Sequence, residues 1–479
     1  MMHDPVPVFA VVGHPNEGKS SVVSTLSEDD NVRIDAAPGT TIVCENYPIV
    51  VDGREILRFT DTPGFQSPKK ALDWFRHYHG PDNQIVASFI SAHRQHEDFR
   101  DECELLRPIA EGAGIIYVVD GSRPIRNDDR AEMEILRLTG RPRMAIINSK
   151  ADEHVYLEAW KNEFRKHFNI VRVFNAHRAT YRERIDLLES LKSIDQDWQP
   201  ALEKVIAAFK EDWHARNIQC ARLIVDMLTR CLQYRVTKTY PDEARLSSAE
   251  KDLKQKYREG IEKIEINAHQ KIKKRFKHNV FHYSLPPDAI IVRDLFDKRI
   301  WQVLGLTSRQ LAVAAGIAGG VLGSVVDAAA GGLTFGVFTA IGGIAGAGSA
   351  LFGASRMAKA KVVGVKVGGI QLQVGPNDNL QFPFVLLDRA LIYYSVVINW
   401  AHARRDVSER VPDKSATSTG KMGYTGHWDD KTRKKAAEFF ISARKSTLNE
   451  ESRRTFTDRV KKMLDAVSRD DFPPGFRNV

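Results

Sequence analysis

The sequence predicts an α/β fold: a three-layer domain on a mostly parallel sheet, followed by a mainly helical region with a Gly/Ala-rich apolar hairpin. Three observations carry this. Short apolar runs recur at helix-sized intervals through the first 190 or so residues. From about residue 201 the pattern turns helical and highly charged. Residues 311–354 then form a block dense in glycine and alanine, with Asp327 its sole ionised residue.

Residues 6–12 (VPVFAVV) read as a buried strand, and 56–60 as a second that ends at an Asp-Thr-Pro-Gly turn. Residues 114–120, 143–148 and 171–175 supply three more. Apolar runs of this length, separated by helical stretches, indicate a sheet covered on both faces. The first domain is therefore drawn over residues 1–199, a charged helical region over 200–300, and a C-terminal domain with a basic helical tail over 301–479. Within the second, residues 247–278 read as one charged helix or a helix pair, which is either a basic arm or the solvated face of a long helix.

The two apolar stretches flanking Asp327 each approach the ~20 residues a membrane-spanning helix needs. Spaced glycines, Gly316, Gly320 and Gly323, then Gly342, Gly346 and Gly353, would let two helices approach closely. Insertion in a membrane is the favoured reading, and a tightly packed pair in a soluble core is the other. Asp327 is costly in lipid unless it sits in the turn. Beyond a basic hinge, 362–374 alternate like a strand pair, 382–400 suit a helix or strands, and 404–479 are polar and mostly helical.

The 479 residues suffice for two or three domains, with 43% hydrophobic and 27% charged residues as in soluble folded chains. Cys44, Cys103, Cys220 and Cys231 lie far apart, which argues against a zinc site or disulfide framework and fits a reducing compartment. No signal-peptide pattern opens the chain. The expected location is cytoplasmic, peripheral or integral at the cytoplasmic face of the inner membrane. The net charge of +9 suits a phosphate-bearing partner, whether anionic membrane or RNA, and equally a plain solvated surface.

Gly13-His14-Pro15-Asn16-Glu17-Gly18-Lys19-Ser20 sits between the first strand and a helix-compatible run. It fits G-x-x-x-x-G-K-[ST], whose glycines let the backbone curl until successive N–H groups face phosphates. Gly13, Asn16, Glu17, Gly18, Lys19, Ser20 and Ser21 are thus candidate nucleotide-binding residues. Lys19 would neutralise the β- and γ-phosphates, and the Ser20 hydroxyl would bind Mg²⁺. Asp61-Thr62-Pro63-Gly64 has the placing of a D-x-x-G element, where Asp61 holds the metal through water and the Gly64 N–H senses the γ-phosphate. Ser149-Lys150-Ala151-Asp152 follows the fourth strand, where a guanine-reading [N/T]-K-x-D belongs. Asp152 can accept from guanine N1–H and N2–H₂, which adenine does not offer, and the Lys150 stem can cover the base. This selects GTP over ATP. Asn175 and Ala176 lie where a backbone N–H meets guanine O6. Pro38-Gly39-Thr40-Thr41 occupies the place of a first switch loop, with Thr41 completing the metal shell. Five histidines, His14, His79, His93, His96 and His154, show no metal-ligand spacing beyond the His93/His96 pair.

Taken in order, GHPNEGKS, PGTT, DTPGF and SKAD resemble the Era/Der/MnmE-type GTPases over residues 6–190. The resemblance implies a P-loop GTPase fold, GTP and GDP as ligands, Mg²⁺ as cofactor and slow hydrolysis supported by Lys19, Thr41, Gly64 and Asn16. It also implies that Phe65 stands where Ras-like proteins place a water-orienting glutamine. In its stead, a potassium ion held at Asn16, with the loop around residues 37–41, would act in place of an arginine finger. Homodimers through the G domain occur among such proteins. Ser149 departs from the usual Asn or Thr, and Ile42-Val43 from an Arg-Asp that often follows the Thr pair. The rest of the chain resembles, more loosely, the C-terminal domain that follows such a GTPase domain in a group of bacterial proteins. The sequence thus favours a GTP-controlled membrane switch. A ribosome- or RNA-associated assembly GTPase and a nucleotide-binding scaffold with negligible turnover are the alternatives.

Overall fold

A computed structural model describes residues 6–27, 43–51, 53–148, 155–176, 179–240, 246–276, 294–315, 360–366, 369–398 and 423–469. The expected first switch loop with Thr41, the Ser149–Asp152 element, His154 and residues 316–354 lie outside that set. The described residues form two compact units, one within Met1–His214 and one drawn from the residues after it.

The first unit runs β1 (Val8–Val12), α1 (Lys19–Ser27), β2 (Glu45–Val51), β3 (Arg54–Asp61), α2 (Pro68–Arg76), α3 (Ile85–His93), α4 (Arg100–Ala110), β4 (Gly114–Asp120), α5 (Asn127–Leu138), β5 (Arg143–Asn148), α6 (Leu157–Phe164), β6 (Ile170–Phe174) and α7 (Tyr181–Leu191). The sheet order is β2-β3-β1-β4-β5-β6. The β2–β3 pair is antiparallel and the others are parallel. Alternate residues of each central strand feed two cores. Ala10 and Val12 join Phe89, Leu105, Tyr117 and Trp160 on one face. Phe9 and Val11 join Val22, Phe59, Leu188 and Leu202 on the other. Burial on both faces is why these strands read as unbroken apolar runs.

The sequence reading missed β2. It is an edge strand with Pro48 inside it and every second residue of its first half exposed. Such a strand is apolar only in its last half, and proline is tolerated there because an edge leaves N–H groups unpaired.

Helix α8 (Gln199–Gln233) begins in the first unit and ends in the second. There follow β7 (Val236–Tyr240), α9 (Leu246–Arg275), α10 (Lys298–Val303), α11 (Ser308–Ala314), β8 (Ala360–Lys366), β9 (Gly369–Val374), α12 (Gln381–Ile398), α13 (Asp430–Arg444) and α14 (Glu450–Ser468). The expected strand pair is β8 and β9, the charged stretch is the single helix α9, and the apolar stretch near residue 390 is the helix α12. The expectation of helix throughout residues 201–279 needs correction: β7 interrupts it and completes an antiparallel sheet of order β7-β9-β8.

Phe382, Phe384, Val385, Leu386, Leu387 and Leu391 of α12 are fully buried and form the centre of the second unit. The same helix buries two charges. Asp388 accepts from the Gly305 N–H at 2.7 Å, the Thr425 N–H at 2.8 Å and the Thr425 hydroxyl at 3.0 Å. Arg389 makes a two-pronged contact with Glu265 at 2.6 and 3.0 Å, both side chains 4% exposed. Leu311, Ala312 and Ala314, at the start of the Gly/Ala block, are buried in α11, which packs on α13.

Candidate functional site

The loop between β1 and α1 turns sharply at Gly13, whose φ of +145° suits glycine and where a Cβ would run into the Val118 carbonyl. Asn16 takes φ 66°, a left-handed conformation that asparagine tolerates better than most residues. The Lys19 ammonium donates to the carbonyls of Gly13 at 3.2 Å and His14 at 3.1 Å, which draws the loop around its own charge. At the head of α1 the Ser20 hydroxyl donates to Asp61 Oδ2 at 2.5 Å. A hydroxyl and a carboxylate converging at a helix N-terminus form a hard-oxygen donor pair, which fits Mg²⁺.

The segment after β3 is fixed against this loop. The Thr62 hydroxyl donates to the Val11 carbonyl at 2.8 Å. Gly64 sits directly on Pro15: a Cβ at Gly64 would lie 2.5 Å from the proline Cδ and N. Phe65 is fully buried in the core beside Val12, Leu72 and Phe75, so its side chain packs and does not face the phosphate position. One residue on, the Gln66 and Ser67 N–H groups donate to Glu102 Oε1 of α4 at 2.8 and 2.5 Å.

At the far side of the site, the buried Asn148 ends β5. Its Nδ2 donates to the Glu17 carbonyl at 3.1 Å, and its Oδ1 accepts from the Ala176 N–H at 3.3 Å. The Thr25 hydroxyl donates to the Ala176 carbonyl at 3.0 Å. Asn148 thus ties the phosphate loop to the loop after β6, from the position just before Ser149. The signal lay in an asparagine at the end of an otherwise apolar strand. The Ala176 N–H, expected near guanine O6, is engaged by this tether.

The Glu17 side chain is taken up within the protein. Its carboxylate is buried, accepts from the Asp120 N–H and is paired with Arg123 at 2.6 Å. Arg123 in turn grips Asp129 through two bonds of 2.7 Å, lies 5.3 Å from the centre of the Trp160 ring and accepts the indole N–H on its carbonyl at 2.8 Å. Burial acts to lower the pKa of the guanidinium, but its bonds to Asp129 and Glu17 prevail and raise it. A second strut stands beside it. His14 Nδ1 lies 3.1 Å from Glu132 Oε1, and the Tyr117 hydroxyl donates to Glu132 Oε2 at 2.9 Å. The hydrogen bond to Glu132 raises the His14 pKa against the opposing effect of burial, and burial raises that of Glu132. None of Arg123, Asp129, Glu132 or Asn148 belongs to a recognisable motif, because each acts from beneath the loop.

His93 and His96 have ring centres 5.8 Å apart, and His93 packs on Phe89 and Phe99 at 4.5 Å. Among the described residues no three His, Cys, Asp or Glu side chains gather as a metal site.

Residues 8–149 match the family described as a 50S ribosome-binding GTPase. The chain is 28% identical over 138 residues to GTPase Era of Ureaplasma urealyticum, covering 27% of this chain and 45% of Era. It is 25% identical over 160 residues to GTPase Der of Bifidobacterium longum, covering 33% and 29%. It is also 28% identical over 157 residues to the tRNA modification GTPase MnmE of Geobacter metallireducens, covering 33% and 28%. The chain thus spans less than half the length of each of these relatives. Residues 161–466, well over half the chain, match the family described as a domain of unknown function, DUF3482. With its strand order, phosphate loop and D-x-x-G segment in place, the chain belongs to the DUF3482 family and carries ahead of that region a GTPase domain homologous to those of Era, Der and MnmE.

Proposed function

We propose that the first unit binds GTP and GDP with Mg²⁺ and converts GTP and water to GDP and phosphate, and that the bound nucleotide controls association with an anionic membrane. The observation that carries the catalytic part is the meeting of Lys19, the Ser20–Asp61 pair and Gly64 at the carboxyl ends of β1 and β3, the end of an α/β sheet where ligands bind.

In this reading the P-loop N–H groups and Lys19 hold the β- and γ-phosphates, and the Gly64 N–H donates to the γ-phosphate. Ser20 and Asp61 would hold Mg²⁺, with Thr41 as a further ligand. Bound there, the ion neutralises charge on the β- and γ-oxygens. Asp152 and Lys150 read guanine. Phe65 is committed to the core, so the attacking water is left to the phosphate loop and, by resemblance, to potassium at Asn16.

The test is binding of fluorescent GTP and GDP analogues, followed by phosphate release in potassium and in sodium. Binding displaced by GDP but not ATP, slow turnover and loss of both in Lys19→Ala are expected. Absence of guanine-nucleotide binding refutes the reading. Tight binding without turnover, with potassium present, would leave a nucleotide-operated scaffold.

The membrane part rests on residues 311–354. Of the described residues, Gln381–Ile398 alone form a helix long and apolar enough to cross a membrane, and the paired Asp388 and Arg389 commit it to the core. Contact with lipid therefore falls to the Gly/Ala block, with the chain acting at the cytoplasmic face of the inner membrane. Flotation with anionic liposomes in one nucleotide state, lost on removing residues 316–354, is the expected result. Flotation in neither state would favour an RNA or ribosomal partner, a reading supported by the net charge of +9 and the description of the family matched by residues 8–149.

A further inference from the structure

Helix α4 touches both the segment after β3 and the residue that precedes β2. Its first turn carries Glu102, which is completely buried. Glu102 Oε1 takes both the Gln66 and the Ser67 N–H, at 2.8 and 2.5 Å, while its Oε2 is buried with no hydrogen-bond partner among the described residues. A buried carboxyl group held by one oxygen is costly to keep. What it secures is the last turn of chain before α2, whose first residue, Pro68, follows Ser67 directly. The N–H groups at that helix start are its unsatisfied donors and its positive end, so a carboxyl group suits them.

The segment from Asp61 to Ser67 is thereby fastened at three points. Thr62 is bonded to β1, Gly64 abuts Pro15, and Gln66 and Ser67 hang on Glu102. Two residues along α4, Glu104 holds Cys44, just ahead of β2. Its carboxylate accepts from the Cys44 N–H at 2.9 Å, and its carbonyl accepts the Cys44 thiol at 3.2 Å. Burial pushes that thiol up to about 12, so it remains a protonated donor.

We infer that Glu102 is a positioning residue for GTP hydrolysis: by holding Gln66 and Ser67 it sets the Gly64 N–H against the phosphate loop before nucleotide arrives. This rests on the proposed GTPase reading. Preorganised donors at the site of developing charge govern the chemical step more than ground-state binding. Loss of Glu102 therefore lowers kcat while nucleotide affinity holds. Side-chain length matters more than charge, because both bonds go to one oxygen.

The experiment measures kcat per nucleotide-binding site, titrated with GDP, in the full chain and in Glu102→Ala, Glu102→Asp and Glu102→Gln. Affinities for GDP and a non-hydrolysable GTP analogue are measured alongside. Alanine and the shortened aspartate should lose about tenfold or more in kcat, with both affinities within threefold of the parent. Glutamine, of the same length, should recover most of the rate. If alanine does not fold, the aspartate–glutamine contrast carries the test. An unchanged kcat in the alanine or aspartate variant, equal loss of affinity and rate, or glutamine no better than aspartate would overturn the inference. A parent protein that binds no guanine nucleotide would instead refute the GTPase reading, and the inference with it.

Discussion

Single side chains beneath the phosphate loop decide how well it is held. Asn148 is buried and satisfies two backbone groups from different loops. Asn148→Ala leaves the Glu17 carbonyl and Ala176 N–H without it, at a cost of about 1–3 kcal/mol for a buried group left unpaired. It should lower both thermal stability and guanine-nucleotide affinity, in contrast to the kcat-specific effect expected at Glu102. The His14–Glu132 contact predicts a pH dependence. His14 is raised above 6.5, so between 6.5 and its folded value the native chain holds a proton the unfolded chain has released. Stability from this pair is complete below that window and is lost as pH rises through it. Glu132, raised above 4.5 by burial, acts in the same direction in its own range. Relative to the parent, His14→Gln should therefore lose less thermal midpoint as pH rises above 6.5; an unaltered slope would exclude the pair as a source of it. What the sequence made legible here were residues that face the ligand, because phosphate chemistry restricts their type and spacing. Their supports were illegible, since contacts such as Glu17 with Arg123 join residues over 100 positions apart.

At the scale of elements, legibility followed burial. Strands β1, β4 and β5 are covered on both sides and stand out as apolar runs. Strand β2 alternates exposed with partly buried residues and β7 is a short, largely exposed and polar strand, and both depend on partners, β3 and β9, that local pattern does not reveal. Helix α12 shows the converse. Composition alone leaves it open to helix or strand readings, and its placement in the core is accompanied by two satisfied charges. Arg389→Met would strand Glu265, 4% exposed, in the core. Breaking a buried pair in this way costs about 3–5 kcal/mol, measurable as a lowered urea midpoint. The double change Arg389→Met with Glu265→Leu should recover much of that loss, and failure to do so would mean the pair does more than neutralise itself.

For the whole molecule, the first unit has its own two cores, which among the described residues draw on positions up to Phe209. Removing 316–354 should therefore leave guanine-nucleotide affinity within about twofold of the parent while abolishing flotation. A fall in affinity would tie the Gly/Ala block to the nucleotide site and recast its role. The place where the two family matches divide the chain has one more consequence. The DUF3482 match begins at residue 161, inside α6, so β6 and α7 fall within that match although they close the nucleotide-binding sheet. A splice between relatives at that boundary would leave β5 as a bare hydrophobic edge and discard Ala176, the anchor of the Asn148 tether. Recombination that respects function has to cut beyond α7, because the first unit needs residues on both sides of position 161.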